Sequence, residues 1–522
     1  MPRLVSGSFE MRFFSIAFVS ILVWLLAMEA AAGPRDAVIV TRPPEGEGAA
    51  FVPGTRLVED LPVPYVEEEF FVEGEATLFS YANDPPQGPT DLMPIEEDVP
   101  YKTRLIVRRP ANARRFNGTV VVEWWNSTAG FDTAPAWEPS AEYFAREGII
   151  YVGVTNSTTS LEFLSQGCRL LGILPPSCGS RYASLSLPEN GLAYEMMSQI
   201  AHLLTSRDAD NPVPRAYRVD RLFHVGESQQ AGSVITYASA FHLDGVNDGY
   251  FIQSGINARP INFGPRCGAE GAPAFPECTP RLLPPDARVR TDLPVPVYQV
   301  VTQTDFETLG FNVFGRQPDT PTFRYYEVAG GAHNAVHIDV ELVPAGVFGP
   351  DPVLLEDLCA NELNTTADGP VFVSFVFNAL WERMQDQVSR HRSPPAGLVM
   401  DEVGGVLQRD ELGNVTGGVR LPSMEAPTAT YESTNIADPT LPPALQGIGG
   451  LACRLSGSVF PFDEATLDAL YPRRSSFFID VWRSVVRLRR QGLLLPEDAL
   501  TVLFDALRAG VGGGGQRGRG PH

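Results

Sequence analysis

Clustered positive charge is what this sequence most plainly lacks. Its 522 residues carry 40 Lys and Arg against 62 Asp and Glu, a net charge of −22. A nucleic-acid binder neutralises phosphates with grouped cations, so a polyanionic partner is excluded and the acidity reads as a solubility feature. No C-x-x-C, H-E-x-x-H, G-x-x-x-x-G-K-[ST] or dinucleotide fingerprint occurs, which removes the usual signatures of zinc, redox, P-loop and nicotinamide sites. "DGVNDG" (Asp244–Gly249) fails as a calcium loop because Val246 stands where an oxygen ligand is needed. Neither a metal nor a cofactor is therefore expected. Internal repeats and low-complexity runs are absent from the body of the chain, whose 44% apolar and 20% charged residues suit a globular protein.

Long uncharged runs are scarce too, and the one at the N-terminus is telling. "FFSIAFVSILVWLLAM" (Phe13–Met28) follows Arg12 and precedes "EAAAGP". It is short for a membrane span, which needs about 20 residues. A basic flank, an apolar stretch and Ala30-Ala31-Ala32 match a secretory signal peptide over residues 1–32, with Met11 as an alternative start. No membrane span is expected after its cleavage. The six cysteines all lie downstream, and an even number in an exported chain predicts disulfides. Loop closure favours Cys168–Cys178 and Cys267–Cys278, leaving Cys359–Cys453 as a long staple. The glycine-rich tail, 510–522, reads as disordered.

Between these ends strand and helix patterns alternate, which predicts an α/β fold with a mostly parallel central sheet. Residues 33–100 read as an N-terminal β-rich segment and 101–393 as the core. "YKTRLIVRRP" (Tyr101–Pro110) and "GTVVVEWW" (Gly118–Trp125) are strands, the second nearly continuous in apolar residues as a buried strand should be. A helix at Pro139–Gly148 and a strand at Ile149–Thr155 come next. A helix follows at Leu192–Leu204, then strands at Arg221–Val225, Gly249–Gln253, Val295–Thr302 and Phe323–Val328. Two cysteine-bracketed stretches, 157–188 and 257–291, follow strands and read as lid loops at the ligand-binding edge of the sheet. Residues 394–509 form an irregular C-terminal extension, with helices at Glu464–Leu470 and Phe477–Arg490.

The chemistry turns on "LFHVGESQQAGSVI" (Leu222–Ile235). A serine between a strand and a helix is the arrangement of a nucleophile elbow, in which the hydroxyl stands above the sheet and the next amide faces the oxyanion. G-x-S-x-G is met only in part, because Gln230 takes the second glycine position. Ser228 needs a base, and only seven histidines exist. His522 lies in the tail, His391 in a Pro/Arg-rich loop, His202 in a helix, His224 in the strand feeding the elbow and His242 at the far end of the following helix. His333 and His337 in "VAGGAHNAVH" remain, and His333 follows the glycine pair that can carry a ring over the sheet edge. Asp305, just past a strand end, is the acid that would orient it, with Glu307 as the alternative. Ser, acid and His then follow in the chain order of α/β-hydrolases. Gln229 and the loop at Asn126 and Ser127 are the expected oxyanion donors.

The blocks "VVVEWWNSTAGFDTAPAW", "HVGESQQAG", "GRQPDTPTFRYYEVAGGAH", "GNVTGGVRLP" and "CRLSGSVFPFDEATLDALYP" resemble a family of bacterial proteins known simply as alpha/beta hydrolase domain proteins, over about residues 37–508. The resemblance implies an α/β-hydrolase fold and a serine hydrolase of undefined substrate, with Ser228, Asp305 and His333 in the positions of the family's triad. Gln303 stands where many members have a second acid, and Gln230 where they have a small residue. From residues and resemblance together, the expected protein is an exported serine hydrolase acting on a small-molecule carboxylic ester. Acyl transfer or amide cleavage by the same triad, or a binding protein without activity, are the alternatives.

Overall fold

The computed structural model of the protein describes residues 38–82, 92–169, 178–262, 288–311, 313–343 and 350–512. The expected signal peptide, the Cys267–Cys278 pair and the tail beyond 512 lie outside the described residues.

Nine strands make the main sheet. They are β1 (Ile39–Thr41), β2 (Tyr65–Tyr81), β3 (Leu92–Pro110), β4 (Thr119–Trp124), β5 (Ile150–Val154), β6 (Arg221–Glu227), β7 (Gly249–Gln253), β8 (Val297–Thr302) and β9 (Phe323–Val328). Their order is β1-β2-β3-β5-β4-β6-β7-β8-β9. Every pair from β5 to β9 is parallel, and β1, β2 and β3 join antiparallel. The sheet is mostly parallel, as the alternation of strand and helix patterns predicts.

Residue 101 is no boundary in this sheet. β2 and β3 pair from Tyr65↔Pro110 to Tyr81↔Leu92, so the N-terminal segment is an edge of the core and not a separate layer. The strand signal upstream of Tyr101 is obscured by Pro94, Pro100 and the acidic run at Glu96–Asp98. Register shifts near Leu78 accommodate that irregular stretch.

Burial follows the alternation of side chains along each strand. Val121, Tyr151, Phe223, Val225, Phe251 and Tyr298 pack on one face, while Val120, Val122, Val152, Leu222, Tyr250 and Ile252 pack on the other. Helices α1 (Trp137–Glu147), α2 (Thr158–Ser165), α3 (Ala193–Thr205), α4 (Gln229–Ala240), α5 (Gln303–Glu307) and α6 (Val373–Arg390) supply most of the cover. Trp137 and Phe144 of α1 and Phe377 and Trp381 of α6 fill the first face. Met196, Met197 and Ile200 of α3 and Val234, Ile235 and Tyr237 of α4 fill the second. Each such large apolar side chain contributes about 1.5–3 kcal/mol by leaving water.

The C-terminal extension is built into the first face. It contains α7 (Pro422–Glu425), α8 (Pro443–Ser456), α9 (Glu464–Leu470), α10 (Arg474–Gln491) and α11 (Pro496–Arg508). Val419, Met424, Leu467, Tyr471 and Val485 join the same core as Phe223 and Trp381. Its backbone also covers the edge of β9: Glu327 N donates to Leu398 O at 2.8 Å, and Val419 N donates to Glu327 O at 2.7 Å. Edge strands left open invite association, and this one is closed by its own chain.

Cys168–Cys178 and Cys359–Cys453 are both bonded, each with Cα atoms 5.5 Å apart. Of the two expected lid segments, 257–291 lies largely outside the described residues. The described part of 157–188 is anchored. Leu161 and Leu164 of α2 are buried against the second face, and Ser186 exchanges two backbone hydrogen bonds with Lys102 of β3. Among the described residues no helix is long and apolar enough to cross a membrane.

Candidate active site

The elbow forms where β6 ends at Glu227 and α4 begins at Gln229. Ser228 between them has φ 52° and ψ −113°. A non-glycine residue in that region costs on the order of 1–3 kcal/mol and persists only when its surroundings impose it. Here they do. Ser228 N donates to Gln253 O at the end of β7, 2.9 Å away. Gly226 must be glycine, since a Cβ would lie 2.3 Å from Gln230 O.

Asp305 and His333 meet across the loops after β8 and β9. Thr302 caps α5 with its side chain on Asp305 N, while the Asp305 carboxylate accepts from Thr302 N at 2.6 Å. That leaves Asp305 Oδ1 for His333 Nδ1, 2.5 Å away, with Asp305 fully buried. His333 Nε2 lies 3.2 Å from Oε1 of Glu227, the residue immediately before Ser228. The ring thus spans from Asp305 to the elbow. Burial disfavours the imidazolium, yet the carboxylates of Glu227 and Asp305 outweigh it and push the histidine up to about 9. Burial raises Glu227 to about 7, even though His333 and Asn126 favour its ionised form.

The alternatives to this pair are occupied elsewhere. His337 Nδ1 lies 3.1 Å from Asp368 and its Nε2 3.5 Å from Glu138. Glu307 pairs with Arg409 at 3.0 Å. His224 contacts Trp124 and Asn247 inside the core, and His242 contacts Tyr250 and Asp244.

The loop after β4 comes to the elbow, but its two expected donors differ. The backbone amide of Asn126 donates to Thr133 O at 3.1 Å. Its side-chain Nδ2 donates to Glu227 Oε2 at 3.0 Å and to Glu227 O at 3.2 Å. Ser127 faces Gln229: its amide lies 3.2 Å and its hydroxyl 2.9 Å from the Gln229 side-chain oxygen. The Gln229 amide, first in its helix, has no intrahelical acceptor by position. Ser127 thus reaches the elbow through the Gln229 side chain, and the Asn126 carboxamide is committed to Glu227.

Glu227 carried no signal in the sequence beyond being an acid at the end of an apolar strand. Glu123, in "VVVEWW", is another such residue. It accepts from the amides of Ala136 and Trp137 at the start of α1, at 2.8 and 3.1 Å, and from the Tyr151 hydroxyl at 2.7 Å. Its carboxylate serves a helix end, and burial pushes it up to about 8.

The histidine loop hangs from the C-terminal extension. The amides of His333 and Asn334 both donate to Leu455 O near the end of α8, at 3.1 and 2.9 Å. Asn364 Nδ2 donates to Gly330 O at 2.6 Å. Cys453, two residues before Leu455, is tied to Cys359. Closing a loop of 94 residues removes chain entropy from the unfolded state worth about 4–5 kcal/mol in the entropic account. Replacing both cysteines by alanine is therefore expected to cost several kcal/mol of stability, read as a lower urea midpoint, and to weaken turnover. Equal midpoints for the wild type and the double variant would contradict this.

The chain belongs to the alpha/beta hydrolase domain family, whose sequence profile matches residues 40–503. No curated protein matches it. Among solved structures it is similar to a glucuronoyl esterase from Teredinibacter turnerae, at 13% identity and a TM-score of 0.29, covering 61% of this chain and 80% of that one. An esterase from Pyrococcus furiosus gives 12% and 0.27, covering 55% and 89%. A glucuronoyl esterase from Solibacter usitatus gives 11% and 0.26, covering 54% and 83%. Likeness at this level says nothing about substrate.

Proposed function

We propose that the protein is an exported serine hydrolase that cleaves small carboxylic esters through an acyl-enzyme. Ser228 Oγ attacks the carbonyl carbon while its proton passes to His333 Nε2. Asp305 holds the Nδ1–H tautomer and stabilises the imidazolium that forms. The amides of Gln229 and Ser127 receive the oxyanion, each such donor being worth about 10²–10³ in rate. The imidazolium then protonates the departing alkoxide. Water, giving its proton to His333, releases the acid.

One observation carries this reading: the His333 ring bridges Asp305 and the strained elbow that holds Ser228. Attack requires Nε2 to exchange Glu227 for the neighbouring hydroxyl. Catalytic hydrogen bonds commonly tighten only once substrate is held. Export is supported by the apolar N-terminal run together with two disulfides, which persist in oxidising compartments.

Covalent labelling tests the assignment. A fluorophosphonate probe is expected to add once, on the peptide containing Ser228, and to leave the His333→Ala variant unmodified. Folded protein that stays unlabelled, or that is labelled on another serine, would refute it.

A further inference from the structure

We infer that Glu227 is a positioning residue of this site: from the end of β6 it holds the Nε2 side of His333 at the elbow and shares the imidazolium charge with Asp305, while Asn126 clamps it in place. The inference rests on the hydrolase reading above and adds a second carboxylate to it.

The geometry is specific. Glu227 is 6% exposed and sits beside the nucleophile in sequence, yet its carboxylate turns to the histidine at 3.2 Å. Its other oxygen and its backbone carbonyl are both held by the Asn126 carboxamide. A buried carboxylate is costly unless hydrogen-bonded and paired, and these contacts satisfy both conditions. Two elements present charge to the imidazole, β6 through Glu227 and α5 through Asp305. Helix α8 meets the loop with two neutral groups, the Leu455 carbonyl and the Ser456 hydroxyl, and the loop after β4 presents neutral Asn126.

A ring between two carboxylates keeps its second proton to higher pH. The two carboxylates hold that proton above the ordinary histidine range, with Nε2 facing Glu227 at 3.2 Å. The free base that accepts the Ser228 proton accumulates as pH climbs. Removing the Glu227 charge withdraws one of the two influences that hold the proton, so the ring must deprotonate at lower pH. When the Ser228 proton arrives, the same carboxylate stabilises the cation it creates. Glu227 therefore sets the alkaline position of the profile and contributes to the limiting rate.

The test is the pH dependence of kcat/KM for p-nitrophenyl acetate, and of the fluorophosphonate labelling rate, in Glu227→Gln. The acidic limb is expected to move toward acid by about one pH unit or more, with kcat on the alkaline plateau about tenfold lower. A merely structural role would lower activity at all pH values and leave the limb in place, which overturns the inference. Should the variant fail to fold, histidine-selective ¹⁵N titration of the wild-type protein decides. His333 is expected to titrate near 9 with a second inflection near 7 from Glu227, and a single inflection near the ordinary histidine value overturns it. Failure of the hydrolase reading looks different, since labelling at Ser228 would then be absent from the wild type itself.

Discussion

Ser228→Ala is expected to lower kcat for p-nitrophenyl ester hydrolysis by about 10⁶-fold while leaving the fold intact. In the proposed mechanism the hydroxyl supplies the one bond through which the acyl group is held. In serine hydrolases loss of the nucleophile costs about as much as loss of the whole triad, because the three groups act as a unit. The fold is expected to survive because the Ser228 side chain makes no capping hydrogen bond to α4. Alanine also meets the same backbone strain at φ 52° that serine already bears. Circular dichroism and the thermal midpoint should match the wild type. Turnover above about a hundredth of wild type in purified variant protein would remove Ser228 from the mechanism.

Asp305→Asn is expected to cost about 10⁴-fold in kcat, the scale on which a triad fails when its histidine is held in the wrong tautomer. Asparagine keeps the size of aspartate but offers an amide where His333 Nδ1 donates at 2.5 Å. The ring would then present Nε2 already protonated to the hydroxyl it should deprotonate. The asparagine carbonyl then faces Thr302 N, which donates to Asp305 Oδ2 at 2.6 Å in the capping box of α5. The cap is kept, and the thermal midpoint should change little. Asp305→Asn with wild-type kcat would leave the acid unassigned and reopen the case for Glu307.

Much of this arrangement was legible in the sequence for a shared reason. Ser228, Asp305 and His333 each stand a few residues beyond the end of a mainly apolar strand, so their place at the carboxyl edge follows from the strand signal alone. β4 to β8 were readable because a strand flanked on both sides by others is apolar on both faces. β2 and the first half of β3 were obscured because charged residues and prolines interrupt their apolar positions. Arg104 and Arg108 of β3 are buried and neutralised by Glu69, Asp132 and Glu67, a pairing visible only once the strands are aligned.

Gln230 departs from the elbow pattern without spoiling the packing. The close approaches to the helix fall at Gly226 in β6, where a Cβ would lie 2.3 Å from Gln230 O, and at Gly255 just past β7, where it would lie 2.4 Å from the Ala231 side chain. Gln230 itself is 1% exposed. The C-terminal blocks identified a family yet carried no chemistry on their face. Their contribution is a backbone carbonyl, that of Leu455, which no side-chain pattern announces. Glu227 escaped notice for a related reason. An acid at the end of a strand points nowhere until the neighbouring loop arrives with Asn126.

One contact near the elbow bears on which molecules gain entry. Ser127 spends both its amide and its hydroxyl on the carboxamide oxygen of Gln229, so a group that displaces the glutamine there must offer an acceptor in exchange. A visitor bringing its own carbonyl inherits two ready donors. A hydrocarbon of equal bulk strands them both, at about 1–3 kcal/mol apiece. In the mechanism proposed above, the glutamine oxygen thus holds the acceptor position that an ester carbonyl would take before any bond is made or broken.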